Sequence, residues 1–312
     1  MHPESKRLLI AACVLSVVAG VSFAGVAARV LDRIRLRKMS AWERRASSFA
    51  TGAFVAMALC WTWARFVEPR WIEVTRTTIE TQDLPEGYRV RIVQISDVGA
   101  TGASRALDRL PGVVNGLSPD LVVFTGNSMN ATEGLVPFRA MLGAMQARLG
   151  VFAVRGNFDS SAWPDVDLFG GGVAHELVLD GVPLDEGRLT LCGAAYGNGA
   201  MNLGRCLGAN PDGYRIVAFN TPDWVEQLAE QQKPALYLAG HTRGGQIRMP
   251  FYGALVTGYA RFGKKYEMGR YQVGDTVLYV NRGIGFEPRP FPQLRFLCRP
   301  EVSVIDLVGR GK

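Results

Sequence analysis

Short apolar runs that each stop at a glycine, asparagine or aspartate constrain this chain more than anything else in it. Arg89–Ser96 reads as a strand ending at Asp97, Asp120–Thr125 as a strand ending in Gly126-Asn127, and Val151–Arg155 as a strand ending in Gly156-Asn157. Between them, Ala103–Leu117 and Leu135–Leu149 carry apolar residues at helical spacing. That alternation predicts right-handed crossovers and a largely parallel sheet. Further strand-like runs follow at Ala174–Val182, Leu189–Ala194 and Arg215–Phe219, and a helix at Asp223–Gln231 leads into a strand at Ala235–Ala239. The tail has β character at Val277–Asn281, Leu294–Leu297 and Val302–Leu307. The polar stops fall just past the C-terminal ends of strands, where open α/β sheets bind ligands. The loops therefore converge on one crevice.

Residues 1–70 are of another kind. Leu8–Leu31 and Phe49–Val67 are almost wholly apolar, and each is long enough to cross a hydrocarbon core of roughly 30 Å. Between and around them lie Arg29, Arg33, Arg35, Arg37, Lys38, Arg44 and Arg45. The positive-inside rule puts that basic stretch in the cytoplasm. The N-terminus and everything after Val67 then lie outside, which in a bacterium means the periplasm or the outer surface of the inner membrane. A cleaved signal peptide, with Ser22-Phe23-Ala24 as the cleavage site, would leave the basic residues on the wrong side; an uncleaved two-pass anchor is the preferred reading. Small residues at Gly20, Ala24 and Ala28, and at Gly52 and Ala56, would let the two helices pack closely. Trp61, Trp63 and Trp71 stand where interfacial aromatics would.

With 312 residues, the chain can bury one sizeable core plus appendages. Its net charge of +7 is concentrated in the basic stretch, which favours a membrane partner. Nucleic acid is not expected, because that stretch lacks the interleaved aromatics of a single-strand groove. Of the five cysteines, Cys13 and Cys60 lie in the apolar segments. Cys192, Cys206 and Cys298 read as buried thiols, with a disulfide between two of them as the alternative.

The strand-end loops carry a further pattern. Gly240-His241-Thr242-Arg243-Gly244-Gly245-Gln246 closely resembles the Gly-His-Thr-His-Gly-Gly-Gln loop of calcineurin-like metallophosphoesterases, with Arg243 in the place of the second His. Asp97-Val98-Gly99 resembles Asp-x-His with Gly99 in the His position, and Gly126-Asn127-Ser128-Met129-Asn130 resembles Gly-Asp-x-x-Asp/Asn with Asn127 in place of the bridging Asp. Gly156-Asn157-Phe158-Asp159 resembles Gly-Asn-His-Asp, and Asn220-Thr221-Pro222-Asp223 resembles His-x-Pro-Asp. The resemblance covers roughly Val90 to Leu307. It implies an α/β fold, a two-sheet sandwich flanked by helices over residues 71–312, preceded here by the two-helix transmembrane hairpin.

In that family, the resemblance implies, one metal takes the positions of Asp97, Gly99, Asn127 and Arg243, and the other those of Asn127, Asn157, Asn220 and His241. The proton donor to the leaving group falls at Phe158, which transfers no protons. Two-metal hydrolysis needs paired cations that polarise phosphate and activate water. Glycine offers no ligand, arginine brings positive charge, and amides bind divalent cations weakly. The chain has only three histidines, His2, His175 and His241, too few for the full ligand set. The scaffold glycines Gly126, Gly156, Gly240, Gly244 and Gly245 are all present.

The expectation is a pseudoenzyme with no metal pair and no cofactor, a single weakly held cation at Asp97, Asn157 and His241 being the residual option. Such a protein would be a binding or scaffold subunit for another membrane or periplasmic protein. The alternatives are an active phosphohydrolase on a lipid or envelope phosphoester, and a lipid- or glycan-carrier-binding protein. Arg243 would either pair with Asp97 or hold a phosphate or anionic lipid headgroup in a bidentate way. The segment Pro250–Tyr271, rich in aromatic and basic residues, resembles one that follows the Gly-His loop in membrane-associated members of the family, where it would meet a lipid-like substrate.

Overall fold

In the computed structural model, residues 3–34, 39–178, 181–197, 199–209 and 211–311 are described. Arg35, Arg37 and Lys38, part of the expected basic loop, lie outside them. Two helices come first, α1 (Pro3–Arg33) and α2 (Ala41–Thr62), the second extended by tighter and wider turns through Arg70. Ser40 and Glu43 cap α2 reciprocally, which starts the helix well before its apolar run and takes Arg44 and Arg45 into it. Among the described residues one helix, Ala41–Arg70, is long and apolar enough to cross a membrane.

The two helices pack antiparallel, but not through the small residues expected. Gly20 and Gly52 have open space where a side chain would stand, whereas a Cβ on Gly25 would lie 2.3 Å from that of Ala50. The Ser47 hydroxyl donates to the Gly25 carbonyl at 2.6 Å and seals the crossing. Spacing along one helix gave candidate small faces; which face meets the partner is decided by how the two helices pack.

The rest is a sandwich of two sheets. In chain order the elements are β1 (Glu73–Thr81), β2 (Arg89–Ile95), α3 (Arg105–Asn115), β3 (Leu121–Phe124), α4 (Leu135–Gly143), β4 (Val151–Ala153), α5 (Asn157–Ala162), β5 (His175–Glu176), β6 (Gly181–Leu184) and β7 (Leu189–Gly193). They continue with α6 (Gly199–Ala209), β8 (Tyr214–Ala218), α7 (Val225–Gln231), β9 (Leu236–Ala239), β10 (Arg248–Met249), β11 (Gly253–Ala254), β12 (Gly269–Val273), β13 (Thr276–Val280) and β14 (Glu301–Gly309). One sheet runs β1-β14-β2-β3-β4-β5 and the other β12-β13-β9-β8-β7-β6; β10 and β11 form a separate small hairpin. The β2-β3-β4 and β7-β8-β9-β13 pairings are parallel, as crossover connections require.

Strand alternation builds the layers. Leu121 and Val123 of β3 point into the core between the sheets, with Ile92, Ile216, Leu238 and Ile305. Their neighbours Val122 and Phe124 point outward under α3 and α4, against Leu110, Val114 and Phe138. Val217, Tyr237 and Leu278 do the same on the other sheet, beneath α6 and α7. Both faces of each sheet are covered, so the strands read as continuous apolar runs.

Four expectations are corrected. Ala174–Val182 is not one strand: β5 closes the first sheet and β6 opens the second, the chain crossing between them. The helix expected over Leu135–Leu149 stops at Gly143 and continues as turns. Leu294–Leu297 forms no strand and makes a single bridge, Ile247 to Phe296; it is a strap against the end of α2, where the Arg295 N–H donates to the Ala64 carbonyl at 2.9 Å. Cys192 and Cys206 are joined by a disulfide that ties α6 to β7, so of the three domain cysteines only Cys298 is a buried free thiol.

Candidate functional site

The loops after β2, β3, β4, β8 and β9 meet at one end of the sandwich. They are held in unusual backbone conformations. Asp97, Asn127, His241 and Arg243 have φ of 51°, 61°, 69° and 49°. That left-handed region costs a non-glycine residue on the order of 1–2 kcal/mol, and such residues persist only where the surroundings over-determine them. Gly240 is required by a close approach: a Cβ there would lie 1.8 Å from the Ser96 hydroxyl and 2.5 Å from the Asp97 carboxylate.

A continuous polar network joins the side chains. Asp97 is fully buried. Its Oδ2 accepts from the backbone N–H of His241 at 2.8 Å and from the Ser96 hydroxyl at 2.6 Å. Its Oδ1 accepts from the Asn127 Nδ2 at 2.9 Å. The Asn127 Oδ1 accepts from the Phe158 N–H at 3.1 Å, which fixes that amide with its NH2 toward Asp97 and toward Asn157 Oδ1, 3.1 Å away. Asn157 Oδ1 also faces His241 Nδ1 at 3.1 Å, and His241 Nε2 faces the Gly258 carbonyl at 2.9 Å. Asn220 Oδ1 accepts from the Asn157 N–H at 3.1 Å, and its Nδ2 donates to the Thr125 carbonyl at 2.9 Å.

Asp159 lies beneath the network and pins two loops together. It accepts from the backbone N–H groups of Gly156 (2.9 Å), Asn127 (2.7 Å) and Ser128 (2.9 Å), and from the Ser128 hydroxyl (2.6 Å). Burial pushes its carboxyl above the ordinary range, against the opposing pull of those four donors.

Arg243 is also buried, with 1% of its side chain exposed. Its NH1 donates to the Asp97 backbone carbonyl at 3.0 Å. Its NH2 lies 3.5 Å from Asp97 Oδ1 and its Nε 3.4 Å from Glu287 Oε1. Neither of those nitrogens has a hydrogen-bond partner, so the two contacts are ion pairs without aligned bonds. Arg243, Gln246, Val256, Glu287 and Phe291 border a cavity of about 40 Å³. Below it a second buried arginine, Arg295, donates to the carbonyls of Arg282 (3.0 Å), Gly283 (3.1 Å) and Gly285 (2.6 Å). Burial lowers its pKa to about 10. This cage holds the Gly283–Gly285 turn against Asp97, whose carbonyl accepts from the Gly285 N–H at 2.8 Å.

The nine residues singled out from the sequence, Asp97, Gly99, Asn127, Asn157, Phe158, Asp159, Asn220, His241 and Arg243, thus stand on the loops of one crevice and the first turn of α5. Gly99 is on its rim: a side chain there would meet Asn130 Nδ2 at 2.9 Å and the Phe286 carbonyl at 3.0 Å. Phe158 is engaged through its backbone, its ring lying edge-on to Trp163 at 6.5 Å. Sequence reasoning missed Glu287 and Arg295; Asn130 it placed only as the last residue of the Gly126–Asn130 motif. It also missed Glu4 on α1, whose carboxylate accepts from the N–H and hydroxyl of Thr257 (2.9 and 2.6 Å) and the N–H of Tyr259 (2.9 Å), on either side of Gly258. A carboxylate at the start of an apolar helix was the only available signal.

A pair of divalent cations needs acceptors converging on two points. Here Asn127 presents NH2, Arg243 a cation, Gly99 nothing, and both Asp97 oxygens already accept from protein donors. Among the described residues no three His, Cys, Asp or Glu side chains are grouped to hold a metal ion. The residues present do not fit a dinuclear centre.

No family model matches the chain. It is 32% identical over 297 residues to the uncharacterized metallophosphoesterase YkuE of Bacillus subtilis, covering 87% of this chain and 99% of the relative. It is 33% identical over 321 residues to the UDP-2,3-diacylglucosamine pyrophosphatase LpxG of Chlamydia trachomatis, covering 82% and 95%. A transmembrane protein with metallophosphoesterase domain from Danio rerio is 29% identical over 264 residues, covering 75% of this chain and 57% of that one.

Proposed function

The chain belongs to the calcineurin-like metallophosphoesterase family, and we propose that it is a membrane-anchored member that keeps the fold without the two-metal chemistry. It would serve as a binding or scaffold subunit on the outer face of the membrane. One observation carries this reading: a buried guanidinium lies 3.5 Å from Asp97, on the loop position that the family resemblance gives to a metal ligand. A cation fixed there by the chain repels a second one, and the neighbouring Asn127 turns donors rather than acceptors toward it. The crevice is then a packed polar network, and binding falls to surfaces around it. Arg243 as a phosphate or headgroup site is the weaker option, because Asp97 and Glu287 already neutralise it.

Membrane association is supported by the Ala41–Arg70 helix and by the Danio rerio relative's name. The two-pass reading is supported by the antiparallel packing of α1 and α2. It is supported too by Glu4, which touches the same domain that follows α2. The Cys192–Cys206 disulfide favours an oxidising compartment such as the periplasm.

The test is metal analysis and turnover of the full chain purified without chelator. The expected result is less than stoichiometric manganese, iron or zinc and no hydrolysis of generic phosphodiesters. The second reading, a hydrolase acting on a lipid or envelope phosphoester, is favoured by the activity in the name of the Chlamydia relative. A stoichiometric metal together with turnover abolished in His241→Ala would establish it instead.

A further inference from the structure

The turn between β10 and β11 carries an apolar cluster that nothing among the described residues covers. Phe251 is fully exposed and Met249, Tyr252 and Leu297 are about half exposed. All four border one surface hollow. Phe251 has a φ of 64°, a left-handed conformation that is costly for an aromatic residue. Contiguous exposed apolar surface of this kind marks an interaction site.

Its position says with what. Leu297 sits in the strap that meets the end of α2: the Arg295 N–H donates to the Ala64 carbonyl at 2.9 Å, and the Cys298 N–H donates to the Glu68 carboxylate. The β10–β11 hairpin is tied to the same strap, the Arg248 N–H donating to the Phe296 carbonyl at 2.9 Å. At the other helix, Glu4 of α1 is locked to Thr257 and Tyr259. The domain is therefore held to both helices, and the hairpin cannot swing away from the place where α2 ends. Cations stand around the cluster and the helix end. Lys264 lies 3.4 Å over the Tyr252 ring, Arg65 and Arg70 lie 5.4 and 5.9 Å from Phe66, and Arg299 lies 4.4 Å over Trp71. Aromatics flanked by basic residues beside an emerging helix match the headgroup layer of a bilayer with anionic lipid.

We propose that the β10–β11 turn and Leu297 form a second membrane contact, with Phe251 and Tyr252 seated among the headgroups of the leaflet from which α2 emerges. The proposal rests on α2 being a membrane span. The crevice network then stands at a fixed orientation to the lipid surface, and a lipid or lipid-linked partner in that leaflet would be met by the hairpin first.

The test uses the full chain in nanodiscs containing anionic lipid, with an environment-sensitive fluorophore on single cysteines. Cys298 is buried and can stay. In a Cys13→Ser, Cys60→Ser background, Tyr252→Cys is labelled and lipids carrying a nitroxide just below the headgroup are added. The Tyr252→Cys label should lose most of its emission, and adding Phe251→Asp should restore much of it. A label at Asp275→Cys, exposed at the far end of β13, should be unaffected. Equal, weak quenching at both positions overturns the proposal, as does a label shielded from water but not reached by the nitroxide, which would mean that protein covers the patch. A label on Cys60 in a Cys13→Ser chain reads the span itself. If that label is unquenched, the anchor fails and the hairpin contact fails with it. If it is quenched while the Tyr252→Cys label is not, only the hairpin contact fails.

Discussion

Arg243 sets the charge balance of its loop. Its guanidinium neutralises Asp97 inside the domain, and removing one partner of a buried pair strands the other. Arg243→Ala is expected to destabilise the full chain by about 3–5 kcal/mol, read from thermal or denaturant unfolding in detergent. Tolerance of the substitution would mean that Asp97 is satisfied by its hydrogen bonds alone. Gly99 makes the complementary case. The identity of the residue shows that no ligand is present there, but only the structure shows that the place is filled, by Asn130 and the Phe286 carbonyl. With a φ of 53°, Gly99→Ala is expected to cost about 1–2 kcal/mol from the backbone alone. Restoring family-like residues by Gly99→His, Asn127→Asp, Asn220→His and Arg243→His together is therefore expected to give no stoichiometric metal by elemental analysis unless Asn130 is also made small. Recovery of a metal pair in the fourfold variant would show that the rim gives way more readily than its packing suggests.

At the scale of elements, the most consequential contact joins the first helix to a loop some 250 positions later. Glu4 holds Thr257 and Tyr259, and the carbonyl of the residue between them faces His241 Nε2 at 2.9 Å. Helix α1 and the crevice are thereby coupled. Glu4→Gln keeps the shape but loses the charge, and because its NH2 cannot accept, at least one of the three hydrogen bonds goes with it. Local opening of residues 256–260 should become easier by about 1.5–3 kcal/mol, roughly ten- to hundredfold in amide exchange. Exchange in α2 should be unchanged. Uniform change across the domain, or none in this loop, would remove Glu4 as the element that positions it. The strap at 294–297 repeats the lesson. Its apolar residues read as a strand, yet Arg295 is consumed by carbonyls and by the end of α2, so the segment never joins a sheet.

At the scale of the whole molecule, orientation is the open consequence. If the basic residues Arg33, Arg44 and Arg45 lie in the cytoplasm, the sandwich lies outside. An alkaline phosphatase fused after Lys312 should be active in a bacterial host, and a reporter that works only in the cytoplasm should be silent. The opposite result would overturn the topology and leave the Cys192–Cys206 disulfide in a reducing compartment, where such a bond is rarely kept.

The sequence alone determined the alternation of strands and helices, the end of the sandwich where loops collect, and which side chains those loops carry. Each of these is local: period-two and helical patterns record burial of neighbouring residues, and a glycine or an arginine declares its own ligating capacity. Tertiary structure decided the rest. It parted β5 from β6 into different sheets, joined Cys192 to Cys206, chose Gly25 rather than Gly20 for the helix crossing, and brought Glu4, Glu287 and Arg295 to the crevice. These contacts depend on where whole elements come to rest, and no pattern among adjacent residues encodes which distant partner will satisfy a buried charge.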